Sequence, residues 1–223
     1  MLEAIVFDFD GVIVDSEPLH YQAFVMVGKG IGFEFTYEEY LATYIGFDDR
    51  DAFRLMLQVS GQEPTDDRVA ELCAMKQPAF NAVAKMNAAN GAIAIPGALE
   101  LIDECHQTDL PRAIASGATR EDIELMLDLL DRRDRFDVIV TADDVQYSKP
   151  DPTSYALAVE RLGIDPGNAL AIEDTAAGLA SAQGAGLMTL GLTTTGPAEP
   201  LAAAVRVIDD LDGVDLEQLK LWY

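Results

Sequence analysis

Residues 4–11 read Ala-Ile-Val-Phe-Asp-Phe-Asp-Gly, four apolar residues followed by two aspartates on either side of a phenylalanine, and then a glycine. An apolar run without alternation is typical of a strand that is buried on both faces of a parallel sheet. Similar short runs recur at residues 113–115, 138–140, 169–172, 187–190 and 205–208. Together the runs predict six strands.

Helical patterns separate the later strands, at residues 98–106, 120–130, 154–162 and 175–183. Alternation of strand and helix predicts an α/β fold with a doubly wound parallel sheet. Residues 16–90 break the alternation, because they read as consecutive helices at roughly 17–29, 37–43, 49–59 and 66–87, without a strand. We therefore predict a core domain of residues 1–15 and 91–223, with an all-helical domain of residues 16–90 inserted after the first strand.

The chain is strongly acidic, with 15 lysines and arginines, 39 aspartates and glutamates, and a net charge of −24. Such a field repels nucleic acids and anionic lipid surfaces, so neither is an expected partner. A site for an anionic substrate must therefore carry its own positive charge, from a metal or a few basic groups. Because the sequence has no signal-peptide pattern and no apolar run near the roughly 20 residues that span a bilayer, we expect a cytoplasmic protein. We expect a monomer or a small homo-oligomer.

Polar residues follow four of the predicted strands, where the ligands of doubly wound sheets bind. In chain order they are Asp8 and Asp10, Ser116 and Gly117, Lys149, and Glu173 with Asp174. Mg²⁺ prefers hard oxygen ligands, which Asp8 and one or both acids of the last pair could supply. The hydroxyl of Ser116 and the open backbone of Gly117 suit phosphate oxygens.

Each of these signals has an ordinary alternative when taken alone. An Asp-x-Asp pair often caps a loop, and Ser116 could be a helix N-cap, a role for which Thr119 competes. A single lysine such as Lys149 is usually solvated. The combination of all four signals, in order and at successive strand ends, favours a site.

The combination resembles the haloacid dehalogenase-like hydrolase superfamily. The four segments that carry the resemblance are DFDGVIVDS at residues 8–16, IASG at 114–117, SKPDP at 148–152 and IEDTAAG at 172–178. They cover most of the chain. The resemblance implies a Rossmann-like core, and it implies that the helical insert is the cap domain of the superfamily's first subfamily.

The resemblance also implies roles for the acidic residues. Asp8 is expected to attack phosphorus and form an aspartyl phosphate. Asp10 is expected to protonate the leaving oxygen and then activate the next acceptor. A magnesium ion is expected to be held by Asp8, the backbone carbonyl of Asp10 and Asp174, with Glu173 in support.

Ser116, Gly117 and Lys149 are expected to bind the transferring phosphoryl group, by the same resemblance. Metal and lysine would neutralise charge on its oxygens, which is most of what phosphoryl transfer requires. The implied activity is a magnesium-dependent phosphatase that acts on a small phosphorylated metabolite, a sugar phosphate or an ester like phosphoglycolate. The presence of Asp10 disfavours dehalogenation, which leaves no alkoxide to protonate.

A sugar phosphomutase like β-phosphoglucomutase is the main alternative. His20 resembles the histidine that mutases place near the acid–base aspartate. A mutase must also bind a second phosphate, yet the loop Gly46-Phe47-Asp48-Asp49-Arg50 carries two acids, although Asp48 could cap the next helix. After Ser116 the chain reads Gly-Ala-Thr-Arg, where the mutase pattern has lysine and asparagine.

These differences favour the phosphatase, with Arg50 as the expected substrate-reading residue of the loop. A catalytically inactive binding protein on the same fold is a third, less favoured alternative.

The two chain crossings, near Asp15-Ser16 and Asn90-Gly91, are predicted to form a hinge pair that lets the insert gate the site.

Overall fold

The computed structural model describes residues 1–45, 47–88 and 93–223. By its internal contacts the chain divides into two compact units, one of Met1–Asp15 with Ala94–Tyr223 and the other of Ser16–Ile93. The predicted crossing at Asn90-Gly91, and Gly46 of the predicted loop, lie outside the described residues.

The first unit contains one six-stranded parallel sheet. Its strands are β1 (Ala4–Phe7), β2 (Arg112–Ala115), β3 (Val138–Val140), β4 (Ala169–Glu173), β5 (Met188–Leu192) and β6 (Arg206–Ile208). They are ordered β3-β2-β1-β4-β5-β6, so β1 is central and pairs with both β2 and β4. Every residue of β1, β2 and β4 is buried, as unalternated apolar runs predict.

The helices of the first unit also follow the predicted pattern. They are α5 (Ala98–Gln107), α6 (Arg120–Leu129), α7 (Thr153–Leu162), α8 (Ala176–Gly184) and α9 (Leu216–Trp222), numbered after the four helices of the other unit. Gly163 caps α7 in a left-handed conformation, with φ of 71°. The α9 helix was not predicted; its residues Leu216 and Leu219 are buried, and Leu216 donates its backbone N–H to Glu104.

The second unit is helical among its described residues. It contains α1 (Glu17–Gly28), α2 (Tyr37–Thr43), α3 (Asp49–Val59) and α4 (Asp66–Ala88), within two residues of the predicted bounds. Packed aromatic rings join α1 to its neighbours, for example Phe24 against Phe53 with centroids 5.2 Å apart. Asp48 caps α3, since its Oδ1 accepts the backbone N–H of Asp51 at 2.9 Å.

No helix among residues 1–45, 47–88 and 93–223 is both long and apolar enough to cross a membrane.

Candidate active site

The pairing of β1 with β4 brings two distant acidic segments together. Phe7 is in register with Ile172, and the backbone N–H of Asp8 donates to the carbonyl of Ile172 at 2.9 Å. Asp8 therefore leaves the sheet beside Glu173 and Asp174. One carboxylate oxygen of each residue lies within 4.8 Å of the other two, and all three residues are buried.

Lys149 bridges two of these carboxylates. Its Nζ donates to Asp8 Oδ1 at 2.7 Å and to Glu173 Oε1 at 2.6 Å, and its side chain is 13 % exposed. The Tyr155 ring lies beneath the ammonium, 5.0 Å from Nζ to the centroid. Burial alone would lower the pKa of Lys149, but the charges of Asp8 and Glu173 overcome it and raise the pKa above its ordinary value. Lys149 therefore places a positive charge between Asp8 and Glu173.

Glu173 is fully buried, and both of its oxygens accept several hydrogen bonds. Oε1 receives the Tyr155 hydroxyl at 2.8 Å in addition to Lys149, and Oε2 receives the Thr175 hydroxyl and the Asp174 backbone N–H, each at 3.1 Å. Gly178 packs so closely that a Cβ there would lie 1.8 Å from Oε1. Glu173 is thus locked in one position, from which it holds Lys149.

Asp174 presents its two oxygens differently. Oδ2 accepts the hydroxyl of Thr195 at 2.5 Å, whereas Oδ1 is buried and has no hydrogen-bond partner among the described residues. The neighbouring Thr194 donates its hydroxyl to the backbone carbonyl of Gly11 at 2.5 Å, which ties the same loop to the turn after β1. A buried carboxylate oxygen without a partner is costly, so this oxygen is available as a ligand atom for a cation.

Burial also sets the protonation of these acids. Burial first, and then the charge of Glu173, raise the pKa of Asp8 well above its ordinary value, despite the opposing effect of Lys149. Burial raises the pKa of Asp174 to about 6, although the hydrogen bond from Thr195 lowers it. A cation among these carboxylates would favour their ionised forms, so the cluster suits a metal.

Thr194 and Thr195 were not singled out as site residues in the sequence analysis. They follow β5, which pairs with β4, so the rule that ligands bind at strand ends could have identified them. Tyr155 was also missed, because a tyrosine inside a helical pattern is normally a core residue.

Ser116 and Gly117 follow β2, as predicted, and line one cavity together with Lys149. Ser116 is 1 % exposed and its Oγ accepts the backbone N–H of Ala118 at 3.0 Å. The N-cap of α6 is Thr119, whose side chain accepts from the Asp122 N–H, so Ser116 does not have that role. A side chain at Gly117 would meet nothing within 4 Å, which leaves the backbone there open to a ligand.

Asp10 lies two residues beyond Asp8, in an isolated bridge with Val14, and is half-buried. Gly11, which lies between Asp10 and Val14, turns the chain with φ of 77°. Among the residues that the structure describes, Asp10 is not part of the carboxylate trio.

The predicted residue His20 belongs to a buried polar cluster in the second unit. The centre of this cluster is Lys76, which the sequence analysis did not single out. Lys76 is 4 % exposed; its Nζ lies 2.8 Å from His20 Nδ1 and 2.6 Å from Asp49 Oδ1. The His20 ring stacks on Phe80 with centroids 4.6 Å apart. Burial, and then the charge of Lys76, lower the pKa of His20 to about 3, so its ring is neutral and accepts from the lysine.

Arg50 is exposed at the start of α3, beside a cavity of about 280 Å³ that Asp48, Asp49 and Cys73 also line. No ion pair involves Arg50 within the described parts of the chain.

Comparison with known proteins adds independent findings. Residues 5–192 match the family model described as haloacid dehalogenase-like hydrolase. The validoxylamine A 7'-phosphate phosphatase of Streptomyces hygroscopicus subsp. limoneus is 31 % identical over 214 residues, which are 96 % of this chain and 96 % of that protein.

Two solved structures have the same fold over nearly the whole chain. CbbY from Rhodobacter sphaeroides, in complex with xylulose-(1,5)bisphosphate, has a TM-score of 0.80 at 29 % identity and covers 98 % of this chain and 99 % of its own. The β-phosphoglucomutase of Clostridium difficile has a TM-score of 0.78, with 100 % and 97 % covered; at 23 % identity this similarity concerns the fold alone.

Proposed function

The chain belongs to the haloacid dehalogenase-like hydrolase family, and we propose that it is a magnesium-dependent phosphatase that hydrolyses a small phosphorylated metabolite through a phosphorylated Asp8. The observation that carries the proposal is the buried trio of Asp8, Glu173 and Asp174 with Lys149 inside it. The similarity to a validoxylamine phosphate phosphatase supports a phosphorylated sugar or sugar-like substrate.

The residues present fit a magnesium ion. Asp174 Oδ1 is buried and lacks a partner among the described residues, and it lies in a cluster of carboxylate oxygens, which are the hard ligands that Mg²⁺ takes. Asp8, Asp174 and the backbone carbonyl of Asp10 would hold the ion, with Glu173 in support. When bound, the ion supplies positive charge to the oxygens of the transferring phosphoryl group.

Asp8 would act as the nucleophile. Lys149 binds Oδ1, so the carboxylate is held in one orientation and Oδ2 is the oxygen that would attack phosphorus. Lys149 has three N–H donors, of which Asp8 and Glu173 take two. The third would contact a phosphoryl oxygen, together with the Ser116 hydroxyl and the Gly117 backbone N–H.

Asp10 would perform the proton transfers. As a half-buried carboxyl group two residues from the nucleophile, it can exchange protons with solvent between steps. It would give a proton to the leaving alkoxide and then take one from the water that hydrolyses the aspartyl phosphate.

A sugar phosphomutase is the second candidate, because the second unit contains the buried pair of His20 and Lys76. A mutase must bind a second phosphate. Yet Asp48 and Asp49 lie beside Arg50 at this cavity, and Lys76 is paired with Asp49, so neither basic group carries charge in excess of the acids around it. This charge balance favours the phosphatase.

Steady-state turnover tests both candidates. A panel of small phosphate esters would be assayed with Mg²⁺ and with EDTA, beside β-glucose 1-phosphate with catalytic β-glucose 1,6-bisphosphate. Phosphate release from one or a few esters, abolished by EDTA, is the expected result. Glucose 6-phosphate formed without phosphate release would replace the phosphatase by the mutase, and no turnover with any ester would overturn both.

A further inference from the structure

A cavity of about 230 Å³ lies beside the candidate phosphate-binding residues, entirely within the first unit. Its wall runs from Ser116 and Gly117 at the end of β2, through the segment between β3 and α7, to Ser154 at the start of α7. The cavity is far larger than the roughly 30 Å³ that one water molecule occupies. It therefore has room for part of a substrate whose phosphate is bound by Ser116 and Lys149.

Ser154 supplies the second observation. It is 4 % exposed, it lines the cavity, and its hydroxyl has no hydrogen-bond partner among residues 1–45, 47–88 and 93–223. Leaving a buried hydroxyl unpaired costs about 1–3 kcal/mol, so such a group requires an explanation. Its place in the first turn of a ten-residue helix, where backbone N–H groups also point outward, suits a ligand oxygen.

The charges around the cavity indicate which ligand it takes. Lys149 is the only charged residue among those described that line it, and its ammonium already contacts Asp8 and Glu173. No uncompensated positive charge remains there for a second phosphate. The other polar groups are uncharged, such as the Gln146 amide and the Ser148 hydroxyl, and Val145 supplies apolar surface. Uncharged donors and acceptors beside apolar surface match a carbon chain that carries hydroxyl groups.

We propose that this cavity is a subsite for a neutral, hydroxylated carbon chain or ring of the substrate, and that the side chain of Ser154, whose Oγ is buried, rotates about χ1 to hydrogen-bond one of its hydroxyl groups. The inference rests on the proposed function, because it places the substrate's phosphate at Ser116 and Lys149. It adds the place where the hydroxylated part of the substrate binds, so that a polyol next to the phosphate is preferred to an alkyl chain of the same length. Ser154 would be a residue that determines this specificity.

The test compares glucitol 6-phosphate with n-hexyl phosphate, which has the same number of carbons and no free hydroxyl groups. Ser154→Ala should lower kcat/KM for glucitol 6-phosphate about tenfold, the equivalent of one hydrogen bond, and leave n-hexyl phosphate unchanged. Thermal unfolding without ligand should show the same or a higher Tm for Ser154→Ala, because the variant removes a partnerless hydroxyl. A structural role for Ser154 would instead lower the Tm.

Ser60→Ala is the matched control, since Ser60 in the second unit also has a buried hydroxyl without a partner among the described residues. Ser60→Ala should leave kcat/KM unchanged for both glucitol 6-phosphate and n-hexyl phosphate. Equal losses on both esters in Ser154→Ala, or no loss on either, would overturn the subsite.

Calorimetric binding of glucitol 6-phosphate to the wild type and Ser154→Ala separates this inference from the phosphatase proposal. If the wild type hydrolyses no ester, the proposed function fails. The subsite then stands only if the wild type binds glucitol 6-phosphate about tenfold more tightly than the variant does. Equal binding, or no binding to either protein, would overturn it.

Discussion

Replacing Gly178 with alanine should destabilise the protein and remove most of its activity, although alanine is the better helix former. Gly178 lies in α8, and a Cβ there would be 1.8 Å from Glu173 Oε1 and 1.9 Å from its Cδ. Ordinary contacts begin at 3.4 Å, so the carboxylate would have to retreat by about 1.6 Å. Its Oε1 is bonded to Lys149 at 2.6 Å and Tyr155 at 2.8 Å, and a retreat of that size breaks both bonds.

The opposing effects differ in size. Alanine gains about 1 kcal/mol over glycine from helix propensity. Overpacking a filled core costs about 1–3 kcal/mol, and leaving a buried polar group unpaired costs about 1–3 kcal/mol more. The net loss is about 3 kcal/mol, which corresponds to a fall in Tm of roughly 6–12 °C for a chain of this length. Lys149 would also lose one of its two anchors, so we expect kcat to fall at least tenfold.

Urea unfolding and phosphate release of Gly178→Ala would test this reasoning. Gly30→Ala is the control, because a Cβ at Gly30 meets nothing within 4 Å and its φ is not in the left-handed region. The control should be as stable and as active as the wild type. A Gly178→Ala protein with wild-type stability and kcat would show that Glu173 is not locked in place and does not position Lys149.

Three further predictions concern the metal, the pH and the substrate loop. Thr195→Val should weaken Mg²⁺ binding about tenfold in calorimetry, because Asp174 loses the hydrogen bond that orients it. Thr195→Ser keeps the hydroxyl and should bind Mg²⁺ as the wild type does. Equal affinities of Thr195→Val and the wild type would show that Thr195 does not orient Asp174 for the metal. The pKa of Asp174 rises from 3.8 unfolded to about 6 folded, so the folded state binds more protons between these values. The free energy of unfolding of the metal-free protein should therefore fall as pH rises through that window, and less so in Asp174→Asn; identical slopes would contradict this. Arg50→Ala should raise KM or lower kcat for the true substrate while acetyl phosphate turnover stays nearly unchanged, and equal losses on both would mean that Arg50 does not read the substrate.

The sequence predicted the sheet and most helices because their signals are local. Unalternated apolar runs identified the buried strands, and glycines such as Gly163 marked helix ends. The α9 helix was missed because seven residues carry too few periodic positions, and tertiary contacts such as that of Leu216 with Glu104 hold it in place.

The candidate site was predictable as far as motifs and strand ends allow. Asp8, Glu173 and Asp174 could be placed at one edge of the sheet because each follows a predicted strand. The pairing of β1 with β4, which brings them side by side, is known only from the structure. Thr195 was missed although it follows β5, the neighbour of β4, so the strand-end rule could have identified it. The role of Tyr155 was not predictable, because it depends on which way a buried side chain points and not on local periodicity.

The pair of His20 and Lys76 was missed for a similar reason. The two residues are 56 positions apart, on two helices that pack together, and a lysine in a helical pattern is normally exposed. Only the packing of α1 against α4 buries Lys76 beside the histidine.

The most direct test of the account is to look for the phosphoryl group on Asp8. Wild-type protein with Mg²⁺ would be mixed with acetyl phosphate or the best ester of the panel, quenched in acid during turnover, and mapped by peptide mass spectrometry. The account predicts a phosphorylated peptide that contains Asp8, absent from Asp8→Asn and from EDTA-treated protein, and no turnover by Asp8→Asn. Undiminished phosphate release by Asp8→Asn, or phosphorylation at another residue, would contradict it.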